Sequence, residues 1–383
     1  MLNFDFYNPT HIVFGKDRLG ELDRFVPANA KVLVSYGGGS VKKYGVLDKV
    51  KASLGEREIY EFGGIEPNPK YKTLIKAVEV VRKNQINFLL AVGGGSVMDG
   101  TKFIAAAAPY EGEASNLIKS GLTQIKTALP LGTVVTLPAT GSEMNNGCVI
   151  SYEDGKFPLF SELIFPRFSI LDPTLTYTLP QDQVANGIID AFIHTVEQYV
   201  TFPVEGRFQD RTAEGILQTL IEVGKKTIDN PNDYDARANL VWCATMALNG
   251  LIGAGVPQDW STHIIGHELT AMFGIDHGKT LAILQPSIWN VRKKQKHAKL
   301  LQYAERVWNI TDGDEVSRID LGISKTRGFF ESLGIKTHLA DYNVTADMID
   351  DIIKALEKHG KRALSETRDL TLAVCRQILE GAM

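Results

Sequence analysis

The chain has 383 residues, 44% of them hydrophobic and 22% charged, with a formal net charge of −4. That is enough sequence for two domains with large cores, and the near-balanced charge gives nucleic acid or an anionic membrane no footing as a partner. Cys148, Cys243 and Cys375 lie far apart without paired spacing, so they read as small core residues of a reducing compartment. No secretory pattern opens the chain and no apolar run reaches transmembrane length, which makes a cytoplasmic protein the expectation.

Residues 2–14 alternate apolar and polar around Asn8-Pro9 and predict a short hairpin, an exposed ribbon suited to pairing with a second subunit or to covering its own domain. From Lys31 the pattern changes to apolar runs that end in glycine. KVLVSY (Lys31–Tyr36) leads into Gly37-Gly38-Gly39-Ser40, and INFLLAV (Ile86–Val92) leads into Gly93-Gly94-Gly95-Ser96. Between them Leu74, Ala77, Val78 and Val81 recur at helical spacing. Strand, helix and strand in that order predict a parallel crossover. Further strands are expected at Leu131–Leu137 and Phe168–Leu171, giving a Rossmann-like α/β domain over residues 1–180 with a parallel sheet covered on both faces.

Glycine turns after parallel strands lie where ligands bind in such sheets. The amides of Gly94, Gly95 and Ser96 can approach a pyrophosphate, and the helix starting near Val97 aims its positive end there. A single turn of this kind is compatible with a plain tight turn, but its repetition points to a dinucleotide. Neither copy completes G-x-G-x-x-G or a Walker loop. At the first copy no carboxylate stands where NAD sites place one for the ribose; Ser40, Lys42 and Lys43 stand there instead. That pattern favours the 2′-phosphate of NADP over NAD. A third polar loop, Pro138 to Glu143, follows the next strand with hydroxyls suited to phosphate or ribose.

Past Pro180 helical periodicity takes over, marked by Ile216, Leu217, Leu220 and Ile221, and by Ile349, Ile352, Ile353 and Leu356 after a cap at Thr345. An all-α C-terminal domain is expected over residues 181–383. Within it, WSTHIIGHELTAMFGIDHGKT (Trp260–Thr280) places His263 and His267 four apart on one helix face, and Gly274 with Asp276 predicts a stop and turn that returns His277 beside them. Asp190 and His194 repeat the same spacing in NGIIDAFIHTVEQ (Asn186–Gln198). Two helices with such pairs can surround one divalent ion with imidazole nitrogens and a carboxylate oxygen. Glu268 follows His267 instead of lying between the histidines, so no zincin protease is implied.

Together, GGGSVMDGTK (Gly93–Lys102), LPATGSE (Leu137–Glu143), Asp190 with His194, and HIIGHELTAMFGIDHG (His263–Gly278) resemble the iron-containing, or group III, alcohol dehydrogenase family. YGGGSVKK and FGGIEPNP (Phe62–Pro69) resemble its NADPH-dependent aldehyde reductase and butanol dehydrogenase branch. The resemblance implies Asp190, His194, His263 and His277 as ligands of iron or zinc, with His267 beside the nicotinamide as a proton-relay group. It implies Gly38, Gly39 and Ser40 at the 2′-phosphate, and Asn68, Gly94, Gly95, Ser96, Asp99, Thr136, Thr140 and Lys156 along the rest of NADP(H). A homodimer joined partly through N-terminal strands is also implied.

The expected reaction is reversible hydride transfer between NADPH and a small aldehyde, with the primary alcohol as product. The alternative is an NAD- and zinc-using synthase similar to dehydroquinate synthase, which returns the hydride within one turnover. Such a synthase needs many cationic side chains for a phosphorylated substrate, and the stretches around Asp190 and His263 offer few. A purely structural ion tying helices together is the non-enzymatic reading, and the paired GGGS turns argue against it.

Overall fold

The computed structural model describes residues 1–383, and these divide into two compact units, Tyr7–Leu179 and Met1–Phe6 with Pro180–Met383. The first unit contains strands β1 (His11–Phe14), β2 (Lys31–Tyr36), β3 (Glu58–Phe62), β4 (Phe88–Gly93), β5 (Leu131–Val135), β6 (Gly147–Tyr152), β7 (Gly155–Phe160) and β8 (Phe168–Leu171). Six of them form one sheet in the order β1-β8-β5-β4-β2-β3, and every pairing in it is parallel. Its central strands β4 and β5 are buried along their whole length. That is why they read as unbroken apolar runs, as strands covered on both faces do.

Helices α1 (Ser40–Lys43), α2 (Val46–Leu54), α3 (Tyr71–Asn84), α4 (Gly95–Ala107) and α5 (Ser115–Ser120) complete this unit. In α3 the buried residues are Leu74, Ala77, Val78 and Val81, the stripe expected from the spacing. One core joins α2 to β2 and β4 through Leu47, Val50, Leu54, Val32, Val34 and Leu90.

Two expectations are corrected in this unit. The crossover between β2 and β4 is not a single helix, because β3 intervenes and lies at the sheet edge beside β2. Being an edge strand, it is only half covered, and its residues EIYEF lack the continuous apolar run of a central strand. The N-terminal hairpin does not form either. Only β1 is a strand, and it pairs in parallel with β8 from His11↔Phe168 to Phe14↔Leu171. Asn8 diverts the chain into it, since its Nδ2 donates to Met144 O at 2.8 Å and its Oδ1 accepts from Thr10 N at 3.3 Å. Val13 is thereby buried. At the start of the chain, Leu2 N–H donates to Gly255 O at 2.9 Å.

The second unit is helical, with α6 (Gln181–Tyr199), α7 (Arg207–Asp229), α8 (Tyr234–Ala247), α9 (Ser261–Phe273), α10 (His277–Arg292), α11 (His297–Trp308), α12 (Glu315–Ser332), α13 (Ile349–Lys358) and α14 (Leu372–Gly381). Apart from a pair of two-residue strands, Ala363–Leu364 and Leu370–Thr371, it holds no sheet. Helix α6 is buried from Gly187 to Tyr199 without a break, as a helix surrounded by others must be. Helices α9 and α10 pack with α13 and α14 through Ile265, Leu269, Ile283, Ile352, Leu356 and Ile378. No helix is long and apolar enough to cross a membrane.

Candidate metal centre and cofactor turns

Helix α6 carries Asp190 and His194 on one face, and α9 carries His263. Helix α9 ends on Gly274, whose φ of 67° is left-handed and whose N–H donates to Thr270 O, the stop that glycine makes at little cost. Three residues later α10 begins at His277. The turn thus delivers a third imidazole to the first two. From Asp190 Oδ1 the distances to Nε2 are 3.6 Å for His194, 3.5 Å for His263 and 3.6 Å for His277.

These separations are longer than good hydrogen bonds. They match the ligand-to-ligand edge of about 3.4 Å in a tetrahedron with bonds near 2.1 Å. Asp190 Oδ1 and His263 Nε2 are buried and have no hydrogen-bond partner, the state of atoms whose lone pairs serve an ion. Asp190, His263 and His277 form a group able to hold a metal ion. His194 is not part of that mutually close group, but its Nε2 stands 3.6 Å from Asp190 Oδ1, and imidazole nitrogens with a carboxylate oxygen suit ferrous iron or zinc. Burial alone would raise the Asp190 carboxyl, but His194, His263 and His277 hold it well below the ordinary carboxylate range. Burial likewise lowers the His263 imidazole, and Glu197 and Asp190 outweigh it, carrying its pKa up to about 9. His267 lies next to this group, its ring centroid 5.1 Å from that of His277 and 6.4 Å from that of His263.

The glycine turns occupy the carboxyl ends of neighbouring strands, since Tyr36 pairs with Val92. Gly94 precedes α4 and Gly95 opens it, which leaves first-turn amides without intrahelical acceptors. A methyl group on Gly95 would lie 2.5 Å from the Thr140 side chain, so glycine there is what lets the Pro138–Glu143 loop close on α4. Thr136 N–H donates to Gly93 O at 2.9 Å, and Thr140 Oγ1 accepts from Ser142 N. Asn68, left-handed at φ 57°, donates its N–H to Ser96 Oγ at 3.3 Å, and Ser151 Oγ donates to Asn68 O. Lys156 stands opposite Ser151 on β7. Gly38, Gly39 and Ser40 form the other turn, with Gly39 at φ 106° and Ser40 opening α1. Asp99 Oδ1 accepts from Ser142 Oγ at 2.7 Å and its Oδ2 from Val149 N at 2.9 Å. It ties α4 to the polar loop and β6.

Three contributors escaped the sequence reading. Glu197 contacts His263 Nδ1, and its position seven residues after Asp190 was the available signal. Trp260, left-handed at φ 63°, sets its ring 5.4 Å from His263 and 6.1 Å from His194. Glu61 on β3 pairs with Lys42 at 3.1 Å and with Lys51, so part of the positive charge at the first turn is balanced locally. The β6–β7 hairpin that presents Lys156 was also unforeseen.

Comparison with known proteins places this geometry. The sequence is 57% identical to NADPH-dependent aldehyde reductase YqhD of Escherichia coli, over the full length of both chains. It is 38% identical to NADP-dependent alcohol dehydrogenase 3 of Entamoeba histolytica, covering 99% of this chain and 98% of the other. It is 37% identical to NADH-dependent butanol dehydrogenase B of Clostridium acetobutylicum over 100% of both. The crystal structure of E. coli YqhD superposes with a TM-score of 0.98 at 56% identity, covering 100% of this chain and 99% of that one. The NADH-dependent butanol dehydrogenase A of Thermotoga maritima superposes at 0.94 with 36% identity and the same coverage. The synthase alternative is not favoured. The iron-containing alcohol dehydrogenase pattern matches residues 9–173, and the C-terminal pattern of Fe-containing alcohol dehydrogenases matches residues 184–383; the chain therefore belongs to the iron-containing alcohol dehydrogenase family and is an oxidoreductase.

Proposed function

We propose that the protein is a metal-dependent, NADPH-using reductase of small aldehydes, reversible toward primary alcohols. The observation that carries this reading is the convergence of three imidazole Nε2 atoms on Asp190 Oδ1 at 3.5–3.6 Å. Asp190, His194, His263 and His277 are assigned as ligands of one iron or zinc ion. When bound, the ion supplies Lewis acidity toward a carbonyl oxygen and the dinucleotide supplies hydride. His267 is assigned proton delivery to the product oxygen, a role its partly buried position beside His277 suits.

NADPH is preferred in this reading because no acidic residue lies between Gly37 and Tyr44. Although Glu61 balances one charge, Lys42, Lys43 and Lys51 outnumber it. The relative at 57% identity is named for NADPH. Gly38, Gly39 and Ser40 are assigned to the 2′-phosphate, and Asn68, Gly94, Gly95, Ser96, Thr136, Thr140 and Lys156 to the remaining dinucleotide. Asp99 is assigned to the nicotinamide end of the cofactor, its carboxylate also holding the loop that carries Thr140. The reading divides the chain into a dinucleotide-binding domain, 1–180, and a metal-binding domain, 181–383, in a cytoplasmic homodimer. Half-exposed Leu2, Phe4 and Phe6 at the N-terminus support the dimer.

The test is a panel of aldehydes assayed with NADPH and NADH on protein of measured metal content. Net NADPH oxidation with butanal, at higher kcat/KM than with NADH, is expected. Turnover without net cofactor change, or none with NADPH, would overturn the proposal.

A further inference from the structure

We infer that Glu197 is a positioning residue of the metal centre, a buried carboxylate that fixes the tautomer and ring direction of His263 so that Nε2 is offered to the ion. The inference rests on the proposed ligand set. Glu197 is 2% exposed and sits on α6 two turns after Asp190, hence on the same helix face. Its Oε2 contacts His263 Nδ1, and its Oε1 accepts the Thr262 N–H at 2.6 Å. Thr262 lies in the first turn of α9, where N–H groups have no intrahelical acceptor. The same carboxylate therefore satisfies the helix start and orients the imidazole one residue further on. Asp259 N–H donates in turn to the Glu197 carbonyl at 2.9 Å, which ties the approach to α9 back onto α6.

The chemistry follows from counting hydrogens. An ionised carboxylate only accepts, so the imidazole nitrogen facing it carries the proton. In a neutral ring the other nitrogen then holds the lone pair. That other nitrogen is Nε2, buried without a hydrogen-bond partner and 3.5 Å from Asp190 Oδ1. A carboxylate behind a ligating histidine sets the tautomer and raises the basicity of the ligand.

Glu197→Gln separates this role from packing. The amide keeps the volume but has one acceptor and one donor end. If its oxygen stays on Thr262 N–H, its NH2 faces His263 Nδ1 and forces the proton to Nε2, the atom the ion needs. If it turns over, NH2 meets the Thr262 N–H instead, and the helix start loses its acceptor. Metal-free protein would be titrated with Zn2+ against a chromophoric chelator, with melting of the metal-free form as the measure of packing. Glu197→Gln is expected to weaken Zn2+ binding about 10–100-fold, and Glu197→Asp to restore part of it. Unchanged Zn2+ affinity in Glu197→Gln would overturn the inference. Nitrogen chemical shifts of His263 in the unmutated Zn2+ protein give a measurement independent of the variant's folding. A protonated Nδ1 is expected, and a protonated Nε2 would overturn the inference as well. His263→Ala and His277→Ala distinguish the two levels. If they lose Zn2+ while Glu197→Gln keeps it, only the Glu197 role fails; if they keep it, the ligand set fails.

Discussion

Replacing Gly278 with alanine should dismantle the metal centre without touching a ligand. Gly278 is the second residue of α10, directly after His277, and an added methyl group would stand 2.7 Å from Asn186 O and 2.8 Å from Asn186 Cα. Both are backbone atoms of α6, one turn before Asp190, and cannot swing aside. Ordinary contact begins near 3.4 Å, so α10 must retreat from α6 by about 0.6–0.7 Å at its first turn. Ligand bonds near 2.1 Å tolerate about 0.2 Å. His277 would then be displaced by roughly three times what its bond can absorb. The overpacking itself costs about 1–3 kcal/mol. The assay is Zn2+ affinity by chelator competition together with the melting temperature of metal-free protein. About 100-fold weaker binding is expected, of the order that misplacing the surroundings of a ligand causes elsewhere. Gly215→Ala on α7, where a methyl group would meet nothing within 4 Å, is the control and should be neutral or stabilising by up to about 1 kcal/mol. Metal affinity of Gly278→Ala equal to that of the parent would refute the claim that this close helix approach sets His277.

His267→Ala should retain the metal, because the three Nε2 contacts to Asp190 do not include it, while kcat falls about 10²–10⁴-fold; metal loss measured by elemental analysis would refute its assignment. Gly38→Asp places a carboxylate at the first turn where a Cβ meets nothing, without the strain of Gly39 at φ 106°. Repulsion of a dianionic phosphate about 5 Å away is about 1.7 kcal/mol in water, so the NADPH-to-NADH ratio of kcat/KM should fall roughly tenfold, and an unchanged ratio would refute the phosphate assignment. Glu61 is held down to about 2, first by its bond to Lys51 and then, against partial burial, by Lys42 and Tyr36. A carboxylate depressed on folding stabilises above its unfolded pKa near 4.5 and loses that contribution as pH falls toward about 2. The stability difference between the parent and Glu61→Gln, read by urea midpoints, should therefore shrink from pH 5 to pH 3; a constant difference would mean the pairs contribute nothing.

What the sequence made legible followed from burial. Strand β4 lies inside the sheet, so Phe88 to Val92 had to be apolar throughout, and α3 had to show one stripe because one face meets the core. The edge strand β3 was illegible for the converse reason, since half-exposed residues carry no pattern. The approach of Asp190, His194, His263 and His277 to one another was legible because helix geometry converts a spacing of four into one face, and Gly274 announced the turn that brings His277 back. Glu197 was not, because a glutamate on a helix is ordinary until Thr262 N–H is found at 2.6 Å from it. The hairpin at Asn8 failed on a long-range term, for Asn8 bonds Met144, 136 residues away, and no local alternation encodes that.

The charged face of α6 is costly to bury unless an ion sits against it. Asp190, His194 and Glu197 are 4%, 5% and 2% exposed, three ionisable side chains in a helix whose other buried residues are uncharged. A buried carboxylate is tolerated when close hydrogen bonds repay its lost hydration, yet Asp190 Oδ1 has none and its nearest nitrogens stand 3.5–3.6 Å away. Packing three imidazoles against one carboxylate oxygen at that spacing is a poor way to stabilise a bundle. It is a good way to leave room for a small cation, which Asp190, His263 and His277 are close enough together to share. Binding that favours the folded chain alone adds to its stability in proportion to the logarithm of ion concentration over Kd. Metal-free protein should therefore melt lower and rise with added Zn2+. The rise should vanish in Asp190→Asn, whose amide nitrogen or weaker carbonyl oxygen replaces the charged donor, and a rise of full size in that variant would place the ion elsewhere.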